Sequence, residues 1–199
     1  PMDMTQDIGA GGNALPYRWR PMDFEYNGKK YTNERAIATQ QTGFWFVGQA
    51  RGNYPDVIGG IIWFGTDDAA TSYLTPVYTN TDKIPGCFRE GNGDLLHYSA
   101  NSSFWINNRI SNSCYRMYNI MAPYVRERID KFENEQIAKI HENDNKALDL
   151  YKKAMDRAEK KGKKTDASYD VMSETGNVFL PVRRLLTKYS VNTAQQMFR

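Results

Sequence analysis

Two adjacent carboxylates close the most apolar run of this chain, in Trp63-Phe64-Gly65-Thr66-Asp67-Asp68-Ala69-Ala70-Thr71-Ser72-Tyr73. Adjacent carboxylates repel, so one of them can hold a raised pKa or bind a cation or an amine. Neighbours in a strand point to opposite faces, which argues against the two acting as an acid/base pair. The plainer reading is a polar turn in which Asp67 accepts from nearby backbone amides. A second candidate lies at Asn33-Glu34-Arg35, ahead of Ala36-Ile37-Ala38-Thr39-Gln40-Gln41-Thr42-Gly43. An Arg at the start of a core strand can sit at a pocket mouth and hold a carboxylate or stabilise charge developing on a carbonyl oxygen. The plainer alternative is an ion pair between Arg35 and Glu34 or another surface acid.

The remaining reactive residues are few. Cys87 and Cys114 are the two cysteines, and His97 and His141 the two histidines. A nucleophilic cysteine needs a base and an electropositive setting. Neither cysteine has a histidine close in sequence, and Cys114 falls on an apolar helical stripe, where it reads as a small hydrophobe. A Cys87–His97 dyad is conceivable in space, but a lone histidine is more often structural or solvated. Two cysteines do not make a disulfide scaffold, and the sequence leaves open whether they pair. No metal-ligand spacing occurs, and no cofactor or metal is expected. The basic run Lys160-Lys161-Gly162-Lys163-Lys164 is flanked by Asp156, Glu159 and Asp166. It reads as a solvated helix end, where cations favour the dipole. The stretch from Asp144 to Lys161 mixes both signs, as a solvent-exposed helix does.

Stepping along the chain shows what must position these groups. Glu25 to Tyr31 reads as a hairpin around Asn27-Gly28, because both turn residues tolerate positive φ. Residues 34–51 are strand-like, and Val57 to Gly65 reads as a strand buried on both faces. Thr71 to Tyr78 is a further strand, with Pro76 at an edge or a bulge. From Ser103 the period becomes helical. Ile106, Ile110, Cys114, Met117, Met121, Val125, Ile129, Phe132, Gln136 and Ile140, almost all apolar, step by three or four along one face of a long helix. Pro123 should kink it. A second helix is expected from Asn145 to Lys160, with shorter ones over Val178–Tyr189 and from Val191 on. Strands followed by helices read as α+β, divided into a strand-rich part over 1–102 and a helical part over 103–199.

Composition narrows the class. The 199 residues are 40% hydrophobic and 25% charged, as in a globular protein, with 13% aromatics gathered mostly before Asp130. A net charge of +3 is a faint average, not the concentrated basic face that nucleic acid requires. No apolar stretch is long enough to span a bilayer. Pro1-Met2-Asp3-Met4 carries no signal-peptide pattern and no initiating Met. The expectation is a fragment or processed product, with the compartment undetermined and both exported and cytoplasmic locations open.

Several blocks resemble one family. Asp3-Met4-Thr5-x-Asp7-x-Gly9-Ala10-Gly11 and Leu15-Pro16-Tyr17-Arg18-Trp19-Arg20-Pro21 are similar to the middle of bacterial dipeptidases related to secernin. So are the blocks Asn33 to Gly43, Trp63 to Thr71, Thr75-Pro76-Val77-Tyr78, Phe104 to Asn112 and Leu186 to Ala194. These enzymes are cysteine-nucleophile dipeptidases of the N-terminal-nucleophile hydrolase superfamily. The resemblance implies a four-layer αββα fold with mostly antiparallel strands, a long kinked helix and a helical tail. It also implies a cysteine exposed at the N-terminus by processing, whose free α-amine serves as base. Neither Cys87 nor Cys114 matches that nucleophile. The expected partners are therefore a dipeptide substrate and a missing N-terminal part of the same protein, and a homo-oligomer is compatible with the sequence. Arg35 is the candidate catalytic residue, and Asn33 and Asp67 are candidates for substrate binding. The chain alone is expected to be inactive. The rival reading is a non-catalytic α+β domain that binds a peptide or a protein partner.

Overall fold

The computed structural model describes residues 23–32, 41–161 and 178–196. Its first element is the expected hairpin, β1 (Asp23–Tyr26) and β2 (Lys29–Thr32), antiparallel with Tyr26 opposite Lys29. Asn27 and Gly28 take φ of 50° and 70°, the left-handed pair that matches the twist of two short strands.

A three-stranded antiparallel sheet follows, in the order β3 (Phe44–Ala50), β4 (Gly60–Thr66), β5 (Thr75–Tyr78). Phe46 lies opposite Phe64, and Phe64 opposite Thr75. The strand expected over 34–51 starts, within the described residues, at Phe44. The run Val57–Gly65 is shorter as a strand than expected, because residues Asp56–Gly59 form one helical turn, α1, before β4 begins. Residues 71–74 lie outside β5, in a turn held by backbone bonds from the Thr71 and Ser72 N–H groups to the Asp68 carbonyl. Pro76 sits on an edge strand, as a residue without an N–H should. The Tyr78 N–H donates to Ser190 Oγ at 3.1 Å, so a side chain satisfies a backbone donor near the strand's end.

The helical half differs from its expectation in where it breaks. α2 (Ser103–Arg116) and α3 (Tyr118–Lys160) are separated at Met117, whose φ of −146° and ψ of 62° lie outside the helical region. The Met117 carbonyl accepts from the N–H groups of Ile120 and Met121 and so starts α3. Pro123 then falls six residues into α3. The donor it lacks would have served the Asn119 carbonyl, close to a helix end where bonds are weakest. The helix expected from Asn145 is continuous with α3. The two short C-terminal helices are one, α4 (Leu180–Gln196), with Pro181 tolerated in its first turn.

α3 and α4 cover one face of the sheet. Val182, Leu186, Ser190 and Ala194, four residues apart, form the buried stripe of α4. Ala147, Ala154 and Ala158 on α3 let the elements approach closely, and Ile58, Ile61, Tyr78 and Ile140 complete the core. The face is therefore not the solvated one that mixed charge between Asp144 and Lys161 suggested: Asp144 is fully buried. On the opposite face Phe88 packs edge-on against Phe64, and the β3 side is exposed among the described residues. Phe44 and Phe46 are 62% and 61% exposed, with Ile62 beside them. Hence β4 is buried on one face only. The architecture is α+β, antiparallel strands followed by a long helix and a C-terminal helix. Among the described residues no helix is long and apolar enough to cross a membrane.

Candidate active-site corner

β4 ends at a polar corner that α2 holds in place. Asp67 turns the chain with φ of 69°, and its N–H donates to the Gly43 carbonyl at 2.9 Å, fixing the chain just ahead of β3. Among non-glycine residues, Asp and Asn adopt this left-handed geometry most readily. α2 presents Ser103, Asn107 and Ser111, spaced by four and all buried, as one polar stripe. Ser103 Oγ lies 2.9 Å from Thr66 Oγ1 and 3.2 Å from the Tyr73 hydroxyl. Asn107 Nδ2 donates to Thr66 at both its carbonyl (3.2 Å) and its Oγ1 (3.0 Å). Ser111 Oγ donates to Asp67 Oδ2 at 2.8 Å, and Asn108 Nδ2 reaches Asp67 Oδ1 at 3.3 Å. This polar stripe lies beside the apolar one that the sequence shows more strongly, and its spacing of four is visible there as well.

The two carboxylates point apart but are joined through hydroxyls. Thr71 Oγ1 lies 2.9 Å from Asp68 Oδ2 and 2.7 Å from Ser111 Oγ, which in turn meets Asp67. Each hydroxyl carries one proton. Thr71 Oγ1 donates to Asp68 and Ser111 Oγ donates to Asp67, so each carboxylate accepts from one hydroxyl of the pair. Burial works against the Asp68 charge: desolvation raises its pKa, bonds from Thr71, Ala70 and Tyr115 lower it, and the nearby Asp67 charge adds a smaller rise. The turn bond to backbone is thus made by Asp68, from Ala70 N–H at 3.3 Å, while Asp67 accepts from side chains of α2.

A raised folded pKa means the native state holds the Asp68 proton more tightly than the unfolded chain. Stability from this group is complete below the unfolded value near 3.8 and falls as pH rises through the folded value. Unfolding midpoints of wild type and Asp68→Asn, measured between pH 4 and 8, should therefore diverge, with wild type losing more as pH rises. Parallel curves would show that Asp68 is ionised in the native state throughout.

The other candidates separate. Asn33 and Arg35 lie outside the described residues. Cys87 sits in a short 3-10 turn (Gly86–Phe88), buried, with its Sγ 3.8 Å from the Ala194 carbonyl. Burial pushes its thiol up to about 11. Cys114 is fully buried on α2, and burial, then the Asp68 charge, raises its pKa as well. Both thiols are unpaired. His97 is exposed and bonds Asp94 Oδ2 at 2.8 Å through Nδ1, while Cys87 is buried with its Sγ turned to the Ala194 carbonyl, so no bond joins the two in this structure. His141 lies on the exposed face of α3. Among the described residues, no three His, Cys, Asp or Glu side chains converge on a common point.

The family follows from a comparison with protein-family models. The one described as peptidase family C69 matches residues 16–131. The chain belongs to peptidase family C69. No curated protein matches the chain. The C69 match takes in the hairpin, the whole sheet, α2 and the first turns of α3, so the Asp67 corner falls inside it. Membership of C69 makes hydrolysis of peptide bonds the chemistry to which this architecture belongs.

Proposed function

We propose that this chain is the scaffold portion of a dipeptidase whose nucleophilic cysteine lies outside these 199 residues. The observation that carries the reading is the state of the chain's own thiols. The nucleophile in such chemistry is a thiolate, and both Cys87 and Cys114 are buried with raised pKa values and no histidine bonded to them. The exposed part of the β3–β4 face, at Phe44, Phe46 and Ile62, supports it further. An apolar sheet face of this kind is stable when a second layer packs on it.

In this reading the external thiolate attacks the scissile carbonyl, forming a C–S bond and an oxyanion. Collapse expels the amine, which takes a proton, and leaves a thioester. Water then attacks the thioester and returns the thiol. Arg35 stabilises the oxyanion, Asn33 lines the substrate pocket, and the Asp67 corner anchors the strand that follows them through its bond to Gly43.

The test uses the complete natural polypeptide. Iodoacetamide should abolish dipeptide hydrolysis while leaving Cys87 and Cys114 unlabelled, both becoming alkylated only after denaturation. Inactivation that tracks labelling of either one would overturn the reading. In the same preparation Arg35→Ala should lower turnover, and undiminished turnover would remove Arg35 from this role.

A further inference from the structure

The loop ahead of α2 holds two leucines out in solvent. Leu95 and Leu96 are 87% and 89% exposed, the most exposed of the large apolar side chains among the described residues. The loop that bears them is closely tied. Asp94 Oδ1 accepts from the N–H groups of Leu96 and His97, both at 2.8 Å. Asn92 Nδ2 donates to the carbonyls of Gly86 and Asn101, and Trp105 Nε1 on α2 donates to the Asp94 carbonyl at 3.1 Å. Gly93 has φ of 84°, and a β-carbon there would come within 3.0 Å of His97 O, Ser99 Cβ and Trp105 Cδ1. A loop this well held keeps its apolar tip in water for a reason other than slack.

A matching hollow lies on the same helix. α2 and α3 flank a partly open hollow of about 380 Å³ lined by Tyr73, Ile106, Ile110, Val125 and Ile129, with Thr71, Asn107, Tyr124 and Arg128 also on its wall. A second hollow of about 350 Å³ adjoins it, sharing Ile106, Ile110 and Val125. A cavity of about 150 Å³ holds a benzene molecule, so the first hollow has room for two leucine side chains. Met121 and Tyr124 extend its apolar rim and are exposed. The charged residues lining the two hollows are Arg109 and Arg128, both cationic. The leucine tip carries Asp94, whose pKa is lowered first by the His97 ring, with Glu90 and Arg89 exposed nearby, so that the flank bears a net negative charge with His97 neutral.

We propose that a second copy of this chain fills the hollow with its Leu95-Leu96 tip, the two copies exchanging tips about a twofold axis. Knob and hollow both belong to α2 and its approach, the arrangement a self-complementary contact needs. They agree in size and polarity, and the acidic flank of one faces the cationic wall of the other. The proposal does not need the dipeptidase reading: Thr71 and Asn107 of the Asp67 corner line the hollow, but neither the Asp67 carboxylate nor the exposed sheet face takes part.

Sedimentation velocity of the complete natural polypeptide tests it. Wild type should form a dimer at tens of micromolar. Leu95→Ser/Leu96→Ser should be monomeric with an unchanged melting temperature, because both side chains are exposed. Arg128→Glu should weaken the dimer at least tenfold, and Phe46→Ser, on the exposed sheet face, should leave it intact. A monomeric wild type overturns the proposal. So does a dimer that survives the leucine variant, or one lost through Phe46→Ser alone. Leucine-dependent flotation with phosphatidylcholine vesicles, in the absence of self-association, would overturn it in favour of a membrane surface.

Discussion

Replacing Asp144 by Ala should cost about 3–5 kcal/mol of stability, the usual range when one partner of a buried ion pair is removed. Asp144 is fully buried on α3 and takes both oxygens to Arg51, which leaves the end of β3. The Arg51 guanidinium also donates to the carbonyls of Ile58 (2.7 Å) and Gly59 (3.2 Å), at the end of the α1 turn. It lies 4.4 Å from the centre of the Tyr54 ring. The Tyr78 hydroxyl donates to Asp144 Oδ1 at 2.7 Å, and burial raises its pKa far above the usual phenol range. One carboxylate thus ties β3, α1, β5 and α3 together. Without it the guanidinium stays buried with no counter-charge, and the phenol loses its acceptor. Removing both charges is a different matter, because well-packed apolar replacements of a buried pair are often neutral. Arg51→Met/Asp144→Leu should therefore recover much of what Asp144→Ala loses. Urea unfolding decides it: a loss below about 1 kcal/mol for Asp144→Ala would show that water reaches the site and screens the pair.

That pair also shows where reading the sequence stops. Asp144 and Arg51 are 93 residues apart, and nothing around Asp144 separates it from the Asp, Glu and Lys residues of an exposed helix. Burial of a charge is decided by the partner the fold delivers. The features that were legible are those whose cause is local. Asn27-Gly28 forces positive φ on two successive residues, and Pro76 cannot donate to an inner ladder. The apolar stripe from Ile106 to Ile140 records a helix face directly. One long helix kinked at Pro123 is the expectation, because proline is the residue that announces a distortion; the helix instead breaks at Met117, which carries no such mark, and Pro123 lies inside α3. Likewise Val57-Ile58-Gly59 looks like strand by composition, yet makes a helical turn whose carbonyls serve Arg51. The Asp67-Asp68 doublet was recognised as a corner. That Ser111 and Thr71 would link its two carboxylates required α2 to lie across the end of β4.

The second large effect concerns that corner. Asp67→Ala should destabilise the protein by about 3 kcal/mol. Alanine in the left-handed region costs roughly 1–2 kcal/mol. Asn108, half-buried, loses its acceptor, while Ser111 keeps the Asn107 carbonyl at 2.9 Å, and one donor left unsatisfied adds about 1–3 kcal/mol. Asp67→Asn tolerates the same backbone angle and keeps an oxygen for one donor, so it should recover at least half of the loss. The consequence for activity follows from position. The Asp67 N–H holds Gly43, and Gly43 closes the segment that carries Asn33 and Arg35. In the complete enzyme Asp67→Ala should lower kcat/KM further than its folded fraction accounts for, with Asp67→Asn between it and wild type. Thermal melts and steady-state kinetics on the same samples separate the two contributions. An alanine variant that melts like wild type would remove Asp67 as the anchor of the corner. One that is destabilised but fully active per folded molecule would make it a structural residue alone, and the search for the substrate pocket would move to the segment ahead of β3.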